Sequence, residues 1–190
     1  MYFDVIIAGF GGQGVMFIGN LLAYAAMLEN HKVTYMPVYG VEMRGGTANC
    51  TVVASDEEIG SPIVQHPACA MVLNKPSLVK FGPRVKKDGL LLVNASLIEA
   101  GDVDVAGPEV LMVPAIELAR EVGNDRLANM VMLGVMAEKT GVVSIKSLEK
   151  ALALSLPPSA QKMLPANTQA MEKGAEFART GKQESEAQKK

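Results

Sequence analysis

The sequence predicts an α/β fold: three αβα layers around a mainly parallel sheet, with a helical C-terminal extension. Three observations carry that expectation. Short apolar runs at residues 2–8, 68–73 and 89–93 read as parallel strands covered on both faces. Stretches with helical spacing stand between the strands, and such alternation builds a parallel sheet. Past Val113 the pattern holds helices only.

The elements follow in order. Residues 9–14, G-F-G-G-Q-G, form a turn after the first strand. From Val15 the apolar residues Ile18, Leu21, Leu22, Ala25 and Ala26 share one face of a helix, which Asn30 closes. Residues 32–35 form a second strand, ended by Pro37, and 36–46 form a loop rich in turn formers. Residues 47–55 alternate and are β-branched, so they read as a strand. Charges, Gly60 and Pro62 make 56–66 a loop. Residues 76–81 form a short helix with proline early, stopped by Gly82-Pro83. Residues 103–105 and 110–113 read as two further short strands. Pro114 opens a helix over 115–122, Gly123 stops it, and a longer helix over 125–139 ends at Gly141. Ser144 caps the next helix, with Ser147 as an alternative start, as far as Leu156. Pro157-Pro158 breaks the chain before a last helix over 167–179. Residues 1–156 are thus the α/β domain, 157–180 a helical extension, and 181–190 a polar tail expected to be disordered.

Composition narrows the function. The 190 residues are 49% hydrophobic, enough for a sizeable core in one domain. The mean hydropathy of +0.20 is high for a lone monomer and points to apolar surface buried against a partner. No apolar run reaches the ~18 residues of a membrane span, and the N-terminus does not read as a secretory signal. A net charge of −2 argues against generic nucleic-acid binding. Cys50 and Cys69 form no C-x-x-C and cannot hold an iron–sulfur cluster within one chain; they read as buried reduced thiols of a cytoplasmic protein. His31, at a helix end, and His66, in a loop, are too few for a histidine metal site. The twelve methionines read mainly as core filling.

Gly9, Gly11 and Gly14 match the dinucleotide fingerprint G-x-G-x-x-G between a strand and a helix. In that pattern the first two glycines allow a tight turn and close backbone approach, and the third lets the helix pack on the sheet. The acidic residue expected about 20 residues later is missing, because the second strand ends T-Y-M-P-V-Y. The turn therefore serves packing, another anionic ligand or a partner's loop. A second glycine pair follows at Y-G-V-E-M-R-G-G-T-A-N. Arg44 there presents a planar fork of donors to a phosphate or carboxylate, and Gly45-Gly46 lets backbone N–H groups join. The alternative is a solvated turn with a surface ion pair worth little.

These residues carry a resemblance. G-F-G-G-Q-G-V at 9–15, Y-G-V-E-M-R-G-G-T-A-N-C at 39–50, E-I-G-S-P-I-V at 58–64, N-K-P-S-L-V-K-F-G-P at 74–83, G-L-L-L-V-N-A-S-L-I at 89–98 and G-N-D-R-L-A-N-M-V-M-L-G at 123–134 resemble the gamma subunit of 2-oxoacid:ferredoxin oxidoreductases. The E-M-R-G-G-T-A-N version is similar to subunits of the 2-oxoglutarate and branched-chain 2-oxoacid enzymes. The resemblance implies a complex that oxidatively decarboxylates a 2-oxoacid to an acyl-CoA and passes electrons to ferredoxin. It implies thiamine diphosphate and magnesium on alpha and beta partners, and iron–sulfur clusters on beta and delta partners. This chain, with no G-D-G…N pattern, would help bind CoA and close the active site. It assigns Arg44, Gly45, Gly46 and Thr47 to a CoA or active-site loop. Gly11, Gly12 and Gln13 of the first turn join them, as do Asn74 and Asn94, each expected at a strand end on the same rim. No catalytic residue and no metal ligand is expected here. Asn124, Arg126 and Asn129 are expected to cap helices and make interface contacts. A free-standing dinucleotide-dependent dehydrogenase and a purely structural adaptor are the competing readings.

Overall fold

The computed structural model describes residues 1–39 and 47–181. Arg44, Gly45 and Gly46, and the tail from 182 to 190, lie outside the described residues. The N-terminal apolar run becomes β1 (Tyr2–Phe10), near the middle of a six-stranded sheet. The other strands are β2 (Lys32–Tyr39), β3 (Thr47–Ser55), β4 (Cys69–Val72), β5 (Leu90–Asn94) and β6 (Glu109–Val113). Their order is β2-β3-β1-β4-β5-β6. β1, β4, β5 and β6 pair in parallel, while β3 lies antiparallel between β1 and β2. All strands except β3 therefore point one way, and the sheet is mainly parallel as expected.

The period of two along each strand sorts side chains to opposite faces. Val5, Ile7, Met71 and Leu92 meet α1 (Val15–Leu28), α4 (Ala128–Thr140), α5 (Ile145–Ser155) and α6 (Leu164–Thr180) in the larger core. Ile6, Ala70, Val72, Leu91 and Val93 face α2 (Lys75–Phe81) through Leu78 and Phe81. Cys50 and Cys69 are fully buried and unpaired. Burial pushes both thiols up, Cys50 to about 12, so neither presents a thiolate near neutral pH.

Four local expectations are corrected. Pro37 does not end the second strand; β2 runs to Tyr39 and pairs with β3 along its length. An edge strand tolerates a proline, since it has one side free of ladder bonds. Residues 103–105 form no strand; Val103 and Val105 pack against the smaller core instead. The helix expected from 125 opens as a 3-10 turn, Asp125–Leu127, before α4. The last helix starts earlier, at Leu164, with Pro165 in its first turn, where no N–H is missed.

Helices α4 and α6 cross at a pair of glycines. A Cβ on Gly134 would lie 1.9 Å from the Met171 carbonyl oxygen, and one on Gly174 would lie 2.0 Å from that of Val131. The two backbones touch because neither residue has a side chain. Ala170, Met171 and Ala175 are buried in the larger core as a result. Among the described residues no helix is long and apolar enough to cross a membrane.

Candidate functional site

The carboxyl ends of β1, β4 and β5 form one rim, with β2 ending beside them and β3 beginning there. From β1 the chain leaves through α1 to β2 on one side, while β4 lies on the other. Crevices at such reversals gather ligands in open α/β sheets.

Gln13 holds the crevice together. Its Oε1 accepts from the Phe10 N–H at 2.7 Å and from Asn74 Nδ2 at 3.1 Å, and its Nε2 donates to the Leu73 carbonyl at 3.2 Å. One side chain thereby ties the end of β1 to the end of β4. Asn74 is buried and caps α2, its Oδ1 accepting from the Ser77 N–H at 2.9 Å. Asn94 is buried at the end of β5; its Oδ1 accepts from the Ser96 N–H at 3.2 Å and its Nδ2 reaches the Leu73 carbonyl at 3.5 Å. Ser96 then accepts from the Ile116 N–H at 2.9 Å, in the first turn of α3 (Ala115–Glu121), and donates to Glu117. That hydroxyl holds the Glu117 carboxyl below its usual range, against a smaller opposing effect of burial.

Above this network lies an open cleft of about 420 Å³. It is lined by the turn residues Gly12, Gln13 and Gly14, by Leu73, Asn94, Leu97 and Ile116, and by Asp125, Arg126, Ala128 and Asn129 from the 124–129 segment. Gly14 is the N-cap of α1, with a left-handed φ of 76°, and supplies no side-chain cap. The first N–H groups of α1 therefore keep their capacity for an anionic acceptor. The packing role expected of Gly14 is corrected. A Cβ there would lie 2.2 Å from Asn129 Nδ2, so Gly14 makes room for a side chain of α4. Close approach of α1 to the sheet falls to Gly19, where a Cβ would lie 2.3 Å from Cys50 Sγ on β3.

Of the residues expected at the site, Gly12, Gln13 and Asn94 line the cleft. Gly11 is exposed in the same turn. Asn74 sits beneath it through Gln13. Thr47 opens β3 opposite Phe10, farther along the rim. Asn124 caps the 3-10 turn as expected, its Oδ1 accepting from the Arg126 N–H at 3.1 Å. Sequence reasoning missed Arg126 and Asn129 as cleft residues. Arg126 is the cleft's one cation among the described residues and forms no ion pair with any of them. The signal was present as N-D-R at 124–126, but helix capping accounts for that pattern equally well.

Comparison with known proteins gives the family and the fold. The family model described as pyruvate ferredoxin/flavodoxin oxidoreductase matches residues 4–177. The chain is 41% identical over 179 residues to ketoisovalerate oxidoreductase subunit VorA of Methanothermobacter thermautotrophicus, a match that covers 92% of this chain and 36% of VorA. It thus spans about a third of that relative's length. It is 35% identical over 184 residues to 2-oxoglutarate synthase subunit KorC of the same organism, covering 94% and 96% of the two chains. The gamma subunit of keto/oxoacid ferredoxin oxidoreductase from Geobacter sulfurreducens superposes with a TM-score of 0.79 at 28% identity, over 94% of this chain and 99% of that one. The 2-oxoglutarate:ferredoxin oxidoreductase of Magnetococcus marinus shares the fold, with a TM-score of 0.85 at 22% identity over 94% of this chain and 31% of that chain. With a family model spanning most of its length and two relatives above 30% identity, the chain belongs to the pyruvate ferredoxin/flavodoxin oxidoreductase family and has the fold of its gamma-type subunit.

Proposed function

We infer that the chain serves as gamma subunit of a complex that oxidatively decarboxylates a 2-oxoacid to an acyl-CoA, and that its cleft seats the anionic part of CoA. The substrate class is a branched-chain 2-oxoacid or 2-oxoglutarate, as the names of the VorA and KorC relatives suggest. The observation that carries the CoA reading is that Arg126 lines the same cleft as Gly12, Gln13 and Gly14, the turn that opens onto the uncapped first turn of α1. CoA bears a pyrophosphate and a 3′-phosphate. A guanidinium fork and a helix N-terminus are two independent means of holding such groups. Asn94, fixed by its bond with Ser96, adds an amide to the lining. Arg44, outside the described residues, joins this set in the same reading.

The chain's part in the reaction is to bind and orient. Arg126 and the α1 amides would neutralise phosphate charge, and the Gln13 network keeps the turn and the strand ends in fixed relation. Thiamine diphosphate and magnesium would supply the carbanion chemistry from alpha and beta partners. Iron–sulfur clusters on beta and delta partners would carry electrons to ferredoxin in a cytoplasmic complex.

The test is CoA dependence of the assembled complex. Losing a charge-assisted contact of about 1.5–3 kcal/mol raises the CoA concentration for half-maximal rate by roughly tenfold or more. Arg126→Ala should show that rise, Arg126→Lys a smaller one, and Arg44→Ala a comparable one. An unchanged CoA requirement in both alanine variants would refute the reading and favour the structural adaptor.

A further inference from the structure

Helix α3 begins without a cap of its own. Pro114 stands at its N-cap, offers no side-chain acceptor and has no N–H. A capping box closes when an N-cap side chain accepts from the first turn and a glutamate at the third helical position bonds back to the N-cap N–H. Glu117 holds that third position, but the N–H it would reach is missing. Ser96, 20 residues before Ile116, supplies both halves. Its Oγ accepts from the Ile116 N–H at 2.9 Å and donates to the Glu117 carboxylate. The box is thus closed by a residue of the loop after β5.

That loop and the start of α3 both contribute to the cleft. Asn94, Leu97 and Ile116 line it, whereas Ser96 and Glu117 do not. The Ser96 N–H donates to Asn94 Oδ1 at 3.2 Å, and the Leu97 and Ile98 N–H groups donate to the Asn94 carbonyl at 3.1 Å each. The Ala95 N–H extends the pairing of β5 with β6, donating to the Val113 carbonyl at 2.8 Å. Ser96 therefore holds Asn94 with its backbone and Ile116 with its hydroxyl. The Glu117 carboxyl, kept below its usual range by that hydroxyl, takes the hydroxyl hydrogen and leaves an oxygen lone pair to Ile116.

We propose that Ser96 and Glu117 are positioning residues for the cleft: their shared hydrogen bond locks the loop after β5 to the first turn of α3 and so sets Asn94, Leu97 and Ile116 in the arrangement that receives CoA. The proposal rests on the cleft's being the CoA site. A cleft ordered beforehand binds its ligand without the cost of ordering itself. Removing the lock leaves the chemistry on the partner subunits untouched and weakens CoA binding alone.

The experiment is CoA saturation of the assembled complex, with hydrogen exchange of the Ile116 N–H in the purified full chain. Ser96→Ala should raise the CoA concentration for half-maximal rate roughly three- to tenfold at unchanged kcat, as for one lost net hydrogen bond, and should speed the Ile116 exchange. Ser96→Thr keeps the hydroxyl and should restore both. Glu117→Ala should act in the same direction by less, because the Ile116 N–H keeps its acceptor. Ser144→Ala removes a serine cap of the same kind from α5, outside the cleft, and should leave the CoA requirement as in the parent. The proposal is overturned if Ser96→Ala leaves CoA dependence or Ile116 exchange unchanged, if its loss falls on kcat instead, if threonine fails to restore binding, or if Ser144→Ala has the same effect. Arg126→Ala separates the two readings. A raised CoA requirement there beside an unchanged Ser96→Ala sinks the positioning role alone, whereas no response in both Arg126→Ala and Arg44→Ala sinks the cleft reading and this proposal with it.

Discussion

The crossing of α4 and α6 allows a stability prediction worked from distances. Gly134→Ala places a methyl carbon 1.9 Å from the Met171 carbonyl oxygen, with the carbonyl carbon at 2.7 Å and Cα at 2.8 Å. All three are backbone atoms, so no rotamer change relieves them. The helices must separate by about 1 Å merely to reach 3.0 Å, the shortest distance a real Cβ tolerates, and farther to reach ordinary contact at 3.4 Å. That lifts Ala170, Met171 and Ala175 from the larger core. Overpacking costs about 1–3 kcal/mol, and a backbone clash belongs at the upper end. Alanine returns up to about 1 kcal/mol in helix propensity. The net loss is about 2 kcal/mol, or about 4–8 °C in Tm for a chain of this size. Urea unfolding followed by circular dichroism, with calorimetry for Tm, measures it. Gly174→Ala meets the Val131 carbonyl at 2.0 Å and should cost as much. The double variant should cost less than the sum, because the first methyl has already parted the helices. If Gly134→Ala instead stabilised the protein by its propensity gain, the reasoning would fail: the helices would then not be in backbone contact.

Two further outcomes are expected. Gln13→Ala strands the Phe10 N–H and the Asn74 amide at the join of β1 and β4, and should cost about 1–3 kcal/mol in urea unfolding; a loss within error would show that water replaces the amide without penalty. Burial acts to raise the pKa of Glu29, but bonds from the Ser144 N–H and the Ser147 and Ser144 hydroxyls, with His31 nearby, outweigh it and hold the carboxyl below 4.5. A depressed carboxylate stabilises the fold above its unfolded pKa and loses that contribution as pH falls through the folded value. Glu29→Gln should therefore flatten the fall of Tm below pH 4.5, and an unaltered acid limb would contradict the assignment.

Much of the fold was legible in the residues because strand burial and helix periodicity are written locally. Residues 47–55 alternate, and β3 has those bounds. Gly141 stops α4 with a φ of 63°, and Ser144 caps α5 through the Ser147 N–H. The errors came where a neighbour overrides a local signal. Pro37 breaks a strand only if both of its sides are paired, and nothing near residue 37 reveals that β2 lies at the edge. The valines at 103–105 look like a strand but find their burial against a core already flanked by β6. The glycines misled in the same way. Gly14 carries its expected place in the fingerprint, yet what it accommodates is Asn129, a residue far along the chain.

The sequence alone determined the alternation of strands and helices, the burial of both cysteines and the family, since each depends on residue type and near neighbours. It also determined that the chain's glycine turn lacks an acidic partner for a ribose. Only the tertiary structure decided which side chains share the cleft. Asn129 meets Gly14 and Arg126 joins the same cleft because α4, held by its contact with α6, brings the segment before it to the first turn. Packing between distant segments sets that meeting, and no period along the chain encodes it.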